Sequence, residues 1–125
     1  MKQLKKEFSE IPERYFVIDF ENTGGSLWKG HKITAYGICI VEKIYGVYKI
    51  TNSYTNFINP DRKIPKYIED LIGIKTDFVI NGNFPYIENE FEIINNLFED
   101  DMIFTAHCVG VDFGMFDYLY YQKFQ

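Results

Sequence analysis

Tyr15, Phe16, Val17, Ile18 and Phe20 form a nearly unbroken apolar run that closes on Asp19, Glu21 and the glycines at 24 and 25. A run this short and apolar predicts a strand over about 15–21, covered on both faces of a sheet. "GGSLWKGHK" then reads as a loop. "ITAYGICIVEK" predicts a second strand and "IYG" a turn. "VYKITNSYTNFI" predicts a third strand, with Tyr48, Ile50, Tyr54 and Ile58 on one face. Asn59–Pro60–Asp61 ends it. In "IPKYIEDLIG" the spacing predicts a short helix with Ile64, Tyr67, Ile68 and Leu71 inward and Gly73 as its C-terminal cap. Pro85 opens a longer helix, with Ile87, Phe91, Ile94 and Phe98 in one stripe. "MIFTAH", residues 102–107, predicts a buried strand, and "VDFGMFDYLYYQKF" a closing helix.

This order of three strands, two helices, one strand and one helix implies an α/β layer structure. The expected mixed sheet is an antiparallel meander followed by a crossover to a parallel strand. Residues 1–13 read as a polar arm and 14–125 as one domain. With 12 Phe and 10 Tyr in 125 residues, the chain is too aromatic to be disordered. Charge changes the picture more. Residues 1–76 hold 12 Lys/Arg against 9 Asp/Glu, whereas 77–125 hold 1 against 9. A global basic footprint for nucleic acid is therefore missing, although a nuclease needs an acidic site in any case. Cys39 and Cys108 fit neither a disulfide framework nor a zinc spacing, and no stretch reads as a signal peptide or a membrane span. A cytoplasmic setting is expected.

Side chains alternate along a strand, so Asp19 and Glu21 share a face. Like charges so placed repel, and burial makes each costlier unless a cation or a shared proton compensates. Ligands of such sheets bind beyond the carboxyl ends of the strands. His107 closes the fourth strand and Asp112 follows it, so three carboxylates would converge if the two strands are neighbours. Hard oxygen donors suit Mg²⁺ or Mn²⁺, and two such ions could clamp a phosphodiester. Each piece also has a plain alternative. Asp19 and Glu21 could be a solvated strand end, Asp112 a helix cap, His107 a core histidine, and His31 an exposed loop residue.

Together the motifs resemble a known family. "VIDFENTGG" is similar to D-x-E-T-T-G, the first motif of the DEDD-type 3′–5′ exonucleases. The resemblance looks nearest to the proofreading exonuclease of bacterial DNA polymerase III, as epsilon subunit or PolC-type domain. "KITAYGICIVE" resembles that family's second strand, "FINPDRKIPKYIEDLIGIKTDFV" its F-x-N-P segment, and "TAHCVGVDFGMF" its second motif, A-H-N-x-x-F-D. The resemblance implies an RNase H-like fold and metal-dependent removal of nucleotides from a DNA 3′ end. It makes Asp19, Glu21 and Asp112 the catalytic metal ligands. Asn22 and Thr23 would lie near the terminal nucleotide, and His107 would have a positional role. Ala35, Cys108 and Val111 depart from the family pattern, and Asn22 replaces a threonine. The third motif, H-x-x-x-x-D, is not found after Asp112. The expectation is therefore the first two-thirds of a domain, poorly active alone and self-associating through an uncovered edge, with a replicative polymerase as a possible partner. The alternative is a non-catalytic module that keeps the fold and binds a nucleic-acid end or a polymerase.

Overall fold

The computed structural model describes residues 12–124, so most of the expected arm lies outside the described residues. A four-stranded sheet in the order β3-β2-β1-β4 organises them. β1 (Arg14–Asn22) and β2 (Ile33–Ile44) pair antiparallel, as do β2 and β3 (Val47–Phe57), which turn at Tyr45–Gly46. β4 (Ile103–Thr105) returns parallel to β1. The expected meander and crossover are both present.

One face of the sheet carries the main core. Phe16, Ile18 and Phe20 of β1 stand opposite Ile40, Ile38 and Tyr36 of β2, and all six are buried. Against them pack the two longer helices, α3 (Ile87–Leu97) through Ile87, Phe91 and Ile94, and α4 (Val109–Phe124) through Met115, Phe116 and Leu119. The stripe read from Pro85 onward is the one that α3 buries. Five aromatic rings form the densest part: Phe16 stacks on Phe98 at 5.0 Å, and Phe104 and Phe116 close around it, with Phe91 against Phe116.

The second face corrects the expectation that β1 is covered on both sides. Tyr15, Val17 and Glu21 are only half-buried and Asp19 is exposed. Among the described residues only the end of this face near Ala35 is covered, by two short helices, α1 (Lys66–Ile72) and α2 (Thr76–Asn81). Their own small core is Ile64, Ile68, Ile74 and Val79. α2 has no counterpart in the expected element list. Gly73 does cap α1 in a left-handed conformation (φ 75°), but Tyr67 and Leu71, expected inward, point to solvent.

A second correction concerns β3. The register slips between Ile40 and Val41, so Asn52 faces Ile40 while Ile50 faces Val41. A bulge of one residue moves every later side chain to the other face. Tyr54 therefore packs on the core, whereas Tyr48 and Ile50 lie on the open face beside Val41. The four positions expected in one stripe are split by the bulge. β4 is also shorter than the apolar run suggested, and His107 sits exposed in the turn that follows it.

Thr34 is fully buried on β2, and its hydroxyl has no hydrogen-bond partner among the described residues. An unsatisfied buried hydroxyl costs free energy that a methyl group of the same shape does not. Thr34→Val is expected to raise stability by about 1 kcal/mol. A urea midpoint that stays the same or falls would show that the hydroxyl is satisfied after all.

Candidate active site

The carboxyl end of β1 is where the sheet, α1 and α4 meet. Alternation puts Asp19 and Glu21 on the open face, and their partners across the β2 ladder are Gly37 and Ala35. The residues facing the two carboxylates are thus small: Ala35 packs against the core of α1 and α2, and a Cβ at Gly37 would only touch Thr55 Cγ2 at 3.8 Å. Asp112 approaches from the first turn of α4. β4 has already ended at the level of Val17, so the next N–H groups on that side of β1 have no strand to pair with. The Phe20 N–H donates instead to Asp112 Oδ1 at 3.0 Å. This bond fixes α4 to β1 and places a buried carboxylate beside the other two.

Two of the three acids are costlier to ionise than usual. Burial pushes the Glu21 carboxyl up from its ordinary range, and the charges of Asp19 and Asp112 push it further. Asp112 is likewise pushed up by burial, held back by the Phe20 N–H, raised again by Asp19 and lowered by His107. Among the described residues no Lys or Arg forms an ion pair with any of the three. The repulsion foreseen from the D-x-E spacing is therefore present at Glu21, while His107 opposes it only at Asp112. In chemistry, this oxygen donor set fits a hard divalent cation. In spacing it is open: among the described residues no three His, Cys, Asp or Glu side chains converge closely enough to hold an ion.

The neighbouring residues also have roles within the fold. Asn22 Oδ1 accepts the N–H groups of Gly24 at 2.6 Å and Gly25 at 3.0 Å, and its amide nitrogen lies 3.2 Å from Met115 Sδ. It builds the loop and ties it to α4. Thr23, expected near a nucleotide, is fully buried. Its hydroxyl is 2.9 Å from His31 Nδ1 and accepts the Lys32 N–H at 3.1 Å. Thr23 is thus a structural residue, and His31 is its partner rather than a free loop histidine. Gly25 must stay small, since a Cβ there would lie 2.6 Å from the His31 ring. His107 is exposed, which rules out the core-histidine alternative.

A residue that the motif reading passed over stands next to this loop. Trp28, on a 3₁₀ turn over Leu27–Lys29, is 61% exposed. The signal was available, since it is the single tryptophan of the chain and lies in a glycine-rich loop just after the acidic motif.

Comparison with known proteins decides the family. The model of the RNase_T family, described as "Exonuclease", matches residues 16–125. The chain belongs to this exonuclease family. Two curated relatives agree. The exonuclease chain is 35% identical over 109 residues to the "3'-5' exonuclease DinG" of Bacillus subtilis (strain 168), covering 85% of the chain and 11% of that protein. It is 33% identical over 100 residues to the protein of the same description from Staphylococcus saprophyticus, covering 78% and 10%. The chain thus spans about a tenth of the length of the curated relatives it matches. Solved structures support the exonuclease fold. An "ExoI/SSB-Ct complex" superposes with a TM-score of 0.75 at 12% identity, over 91% of this chain and 25% of that one. The nuclease domain of 3'hExo, "a DEDDh family member, bound to rAMP", gives 0.67 at 14%, over 90% and 60%. The RNase H-like mixed sheet inferred from the motifs is the fold these neighbours share.

Proposed function

We propose that this exonuclease domain hydrolyses the terminal phosphodiester at a nucleic-acid 3′ end, with Asp19, Glu21 and Asp112 holding a divalent cation. The observation that supports it most is the group of three carboxylates at the strand end, with no Lys or Arg paired to any of them among the described residues. A bound Mg²⁺ or Mn²⁺ would polarise the phosphodiester and supply a hydroxide-like water. The chain's own part is positional. Phe20 holds Asp112 in place, Asn22 shapes the loop beside Glu21, and Gly37, with no side chain of its own, leaves room beside Asp19 for the sugar-phosphate. His107 keeps the positional role implied by the family resemblance. The family resemblance implies a histidine base in a third motif after Asp112; without one, turnover is expected to be slow, since a missing general base typically costs about 10²–10⁴-fold.

Mn²⁺ calorimetry on the wild type and Asp19→Ala tests the site directly. Heat is expected from the first and little from the second. Equal heats would remove the site and favour a module that binds an end without cutting it. Release of nucleotides from a 3′-labelled single strand, abolished by chelation and by Asp19→Ala, is the matching assay. Proofreading, a replicative polymerase partner and a cytoplasmic location extend this reading from the resemblance. Among the described residues no helix is long and apolar enough to cross a membrane. Self-association is part of the proposal too, but β4 offers only three residues of edge. A copy would have to dock mainly on the open sheet face around Val17 and Ile103.

A further inference from the structure

A cleft of about 390 Å³ opens where the turn before β2, the start of α3 and the last turns of α4 meet. Its floor is apolar, with Ile33, Ile87, Phe91 and Leu119 all buried. Its rim is polar: His31, Lys32 and Lys123 share it with one carboxylate, Glu88, and two amides, Asn89 and Gln122. We propose that this cleft binds a nucleoside 5′-monophosphate, at a site apart from the carboxylates of the strand end. The proposal rests on the exonuclease reading. Water that bonds to the terminal phosphorus as the 3′-oxygen leaves would release such a nucleotide, and the cleft adds a separate place to hold it.

Three observations carry it. First, charge gathers here against the local trend. Lys123 is the one Lys or Arg in residues 77–125, and it lines the same cleft as Lys32 and His31. Its Nζ lies 3.9 Å from Glu92 Oε2, in an exposed pair, and Lys32 joins no ion pair among the described residues. A loose exposed pair is worth little, so both lysines can turn to a phosphate. Second, the remaining lining matches the other parts of a nucleotide. The apolar floor takes the face of a base, and the two amides each offer a donor and an acceptor to its edge. Tyr118 makes one wall, its ring held edge-on by Trp28 at 4.8 Å and 86°. The volume falls within the range of about 300–1,000 Å³ usual for small-molecule sites. Third, the place is distinct. Lys123 follows Asp112 by eleven positions on α4, a rise of about 16 Å, so a phosphate at Lys123 does not lie over the acids. His31 still links the two, because its Nδ1 is 2.9 Å from Thr23 Oγ1 in the loop that follows Glu21.

Calorimetry with thymidine 5′-monophosphate in EDTA tests the cleft while no cation is present to hold a phosphate at the acids. Saturable binding is expected. Lys123→Gln, at an exposed position that should not disturb the fold, should weaken it about 10-fold or more, the worth of one charge-assisted hydrogen bond. Thymidine lacks the phosphate and inorganic phosphate lacks the base, so each should bind more weakly than the nucleotide by a similar factor. Asp19→Asn should bind the nucleotide as the wild type does. Loss of binding in Asp19→Asn would place the nucleotide at the acids and overturn the cleft. Unchanged binding by Lys123→Gln, or phosphate alone binding as tightly as the nucleotide, would overturn it too. No heat from the wild type would also overturn it, while Mn²⁺ heat that depends on Asp19 would leave the exonuclease reading standing. Nucleotide binding that needs Lys123, in a protein without Asp19-dependent Mn²⁺ heat, would keep the cleft and reject that reading.

Discussion

Asp112→Asn is expected to leave the domain folded and inactive, whereas Asp112→Ala is expected to weaken the fold as well. The buried carboxylate does two jobs that a single atom swap separates. Asn keeps an oxygen that can accept the Phe20 N–H, and it removes the charge that Glu21 and Asp19 repel. Ala removes the acceptor and leaves a buried N–H unpaired, at a cost of about 1–3 kcal/mol. Both variants lose a proposed metal ligand. Nucleotide release should fall by about 10²-fold or more, since even outer-sphere partners of a metal are worth about 10–100-fold. The pH dependence has a definite sign. The folded protein holds the Asp112 proton to higher pH than the unfolded chain does. The contribution of Asp112 to wild-type stability should therefore fall as pH rises from the ordinary value of 3.8 through the raised one. Asn cannot titrate, so its stability relative to wild type should improve across that interval and level off above it. Urea denaturation of the three proteins at pH 3, 5 and 7 would check this. A constant difference between wild type and Asn would mean that Asp112 is not raised in the folded state.

Phe16→Ala carries the largest expected loss of stability, about 3–5 kcal/mol, out of the roughly 5–15 kcal/mol that holds a domain of this size together. Phe16 is wholly buried, and its ring touches those of Phe98, Phe104 and Phe116, so truncation opens a cavity that β1, β4, α4 and the end of α3 all line. The neighbouring strands cannot close over it without shifting the ladder that also holds Asp19. Ile103→Ala, on the exposed side of β4, should stay within about 0.5 kcal/mol. Urea midpoints would separate the two, and equal losses would mean that the cluster around Phe16 is not the core of the sheet.

Much of this arrangement was legible because it depends on local periodicity. Alternation gave the strands, and the same alternation put Asp19 and Glu21 on one face. Spacing gave α3, and Gly73 marked the end of α1. What stayed hidden depends on pairs. The bulge that turns Tyr48 and Ile50 away from Tyr54 is a property of two strands in register, and neither strand shows it alone. The one-sided burial of β1 depends on which helices cover the sheet, which the apolar run at 15–20 does not state. α2 is six residues long and too short to show a period. In the site, the acids were readable by type. The bond from Phe20 to Asp112 joins residues 92 positions apart, and nothing local announces it. The contacts of Thr23 with His31 and Lys32 were hidden for the same reason: they depend on how the loop folds back, not on the motif.

The Phe20–Asp112 bond has one more consequence, for how such a sequence can drift. Among the described residues Asp19 and Glu21 accept no hydrogen bond and pair with no cation, so the proposed metal site is the role that would hold them in place. Asp112 completes a strand's ladder. In a lineage that abandoned the chemistry, positions 19 and 21 would be free to vary at once. Position 112 would still need an acceptor for the Phe20 N–H. Asparagine or serine would satisfy that need where an aliphatic residue would not. A short polar side chain at this position in a distant descendant is therefore a mark of shared architecture and, by itself, no mark of surviving catalysis.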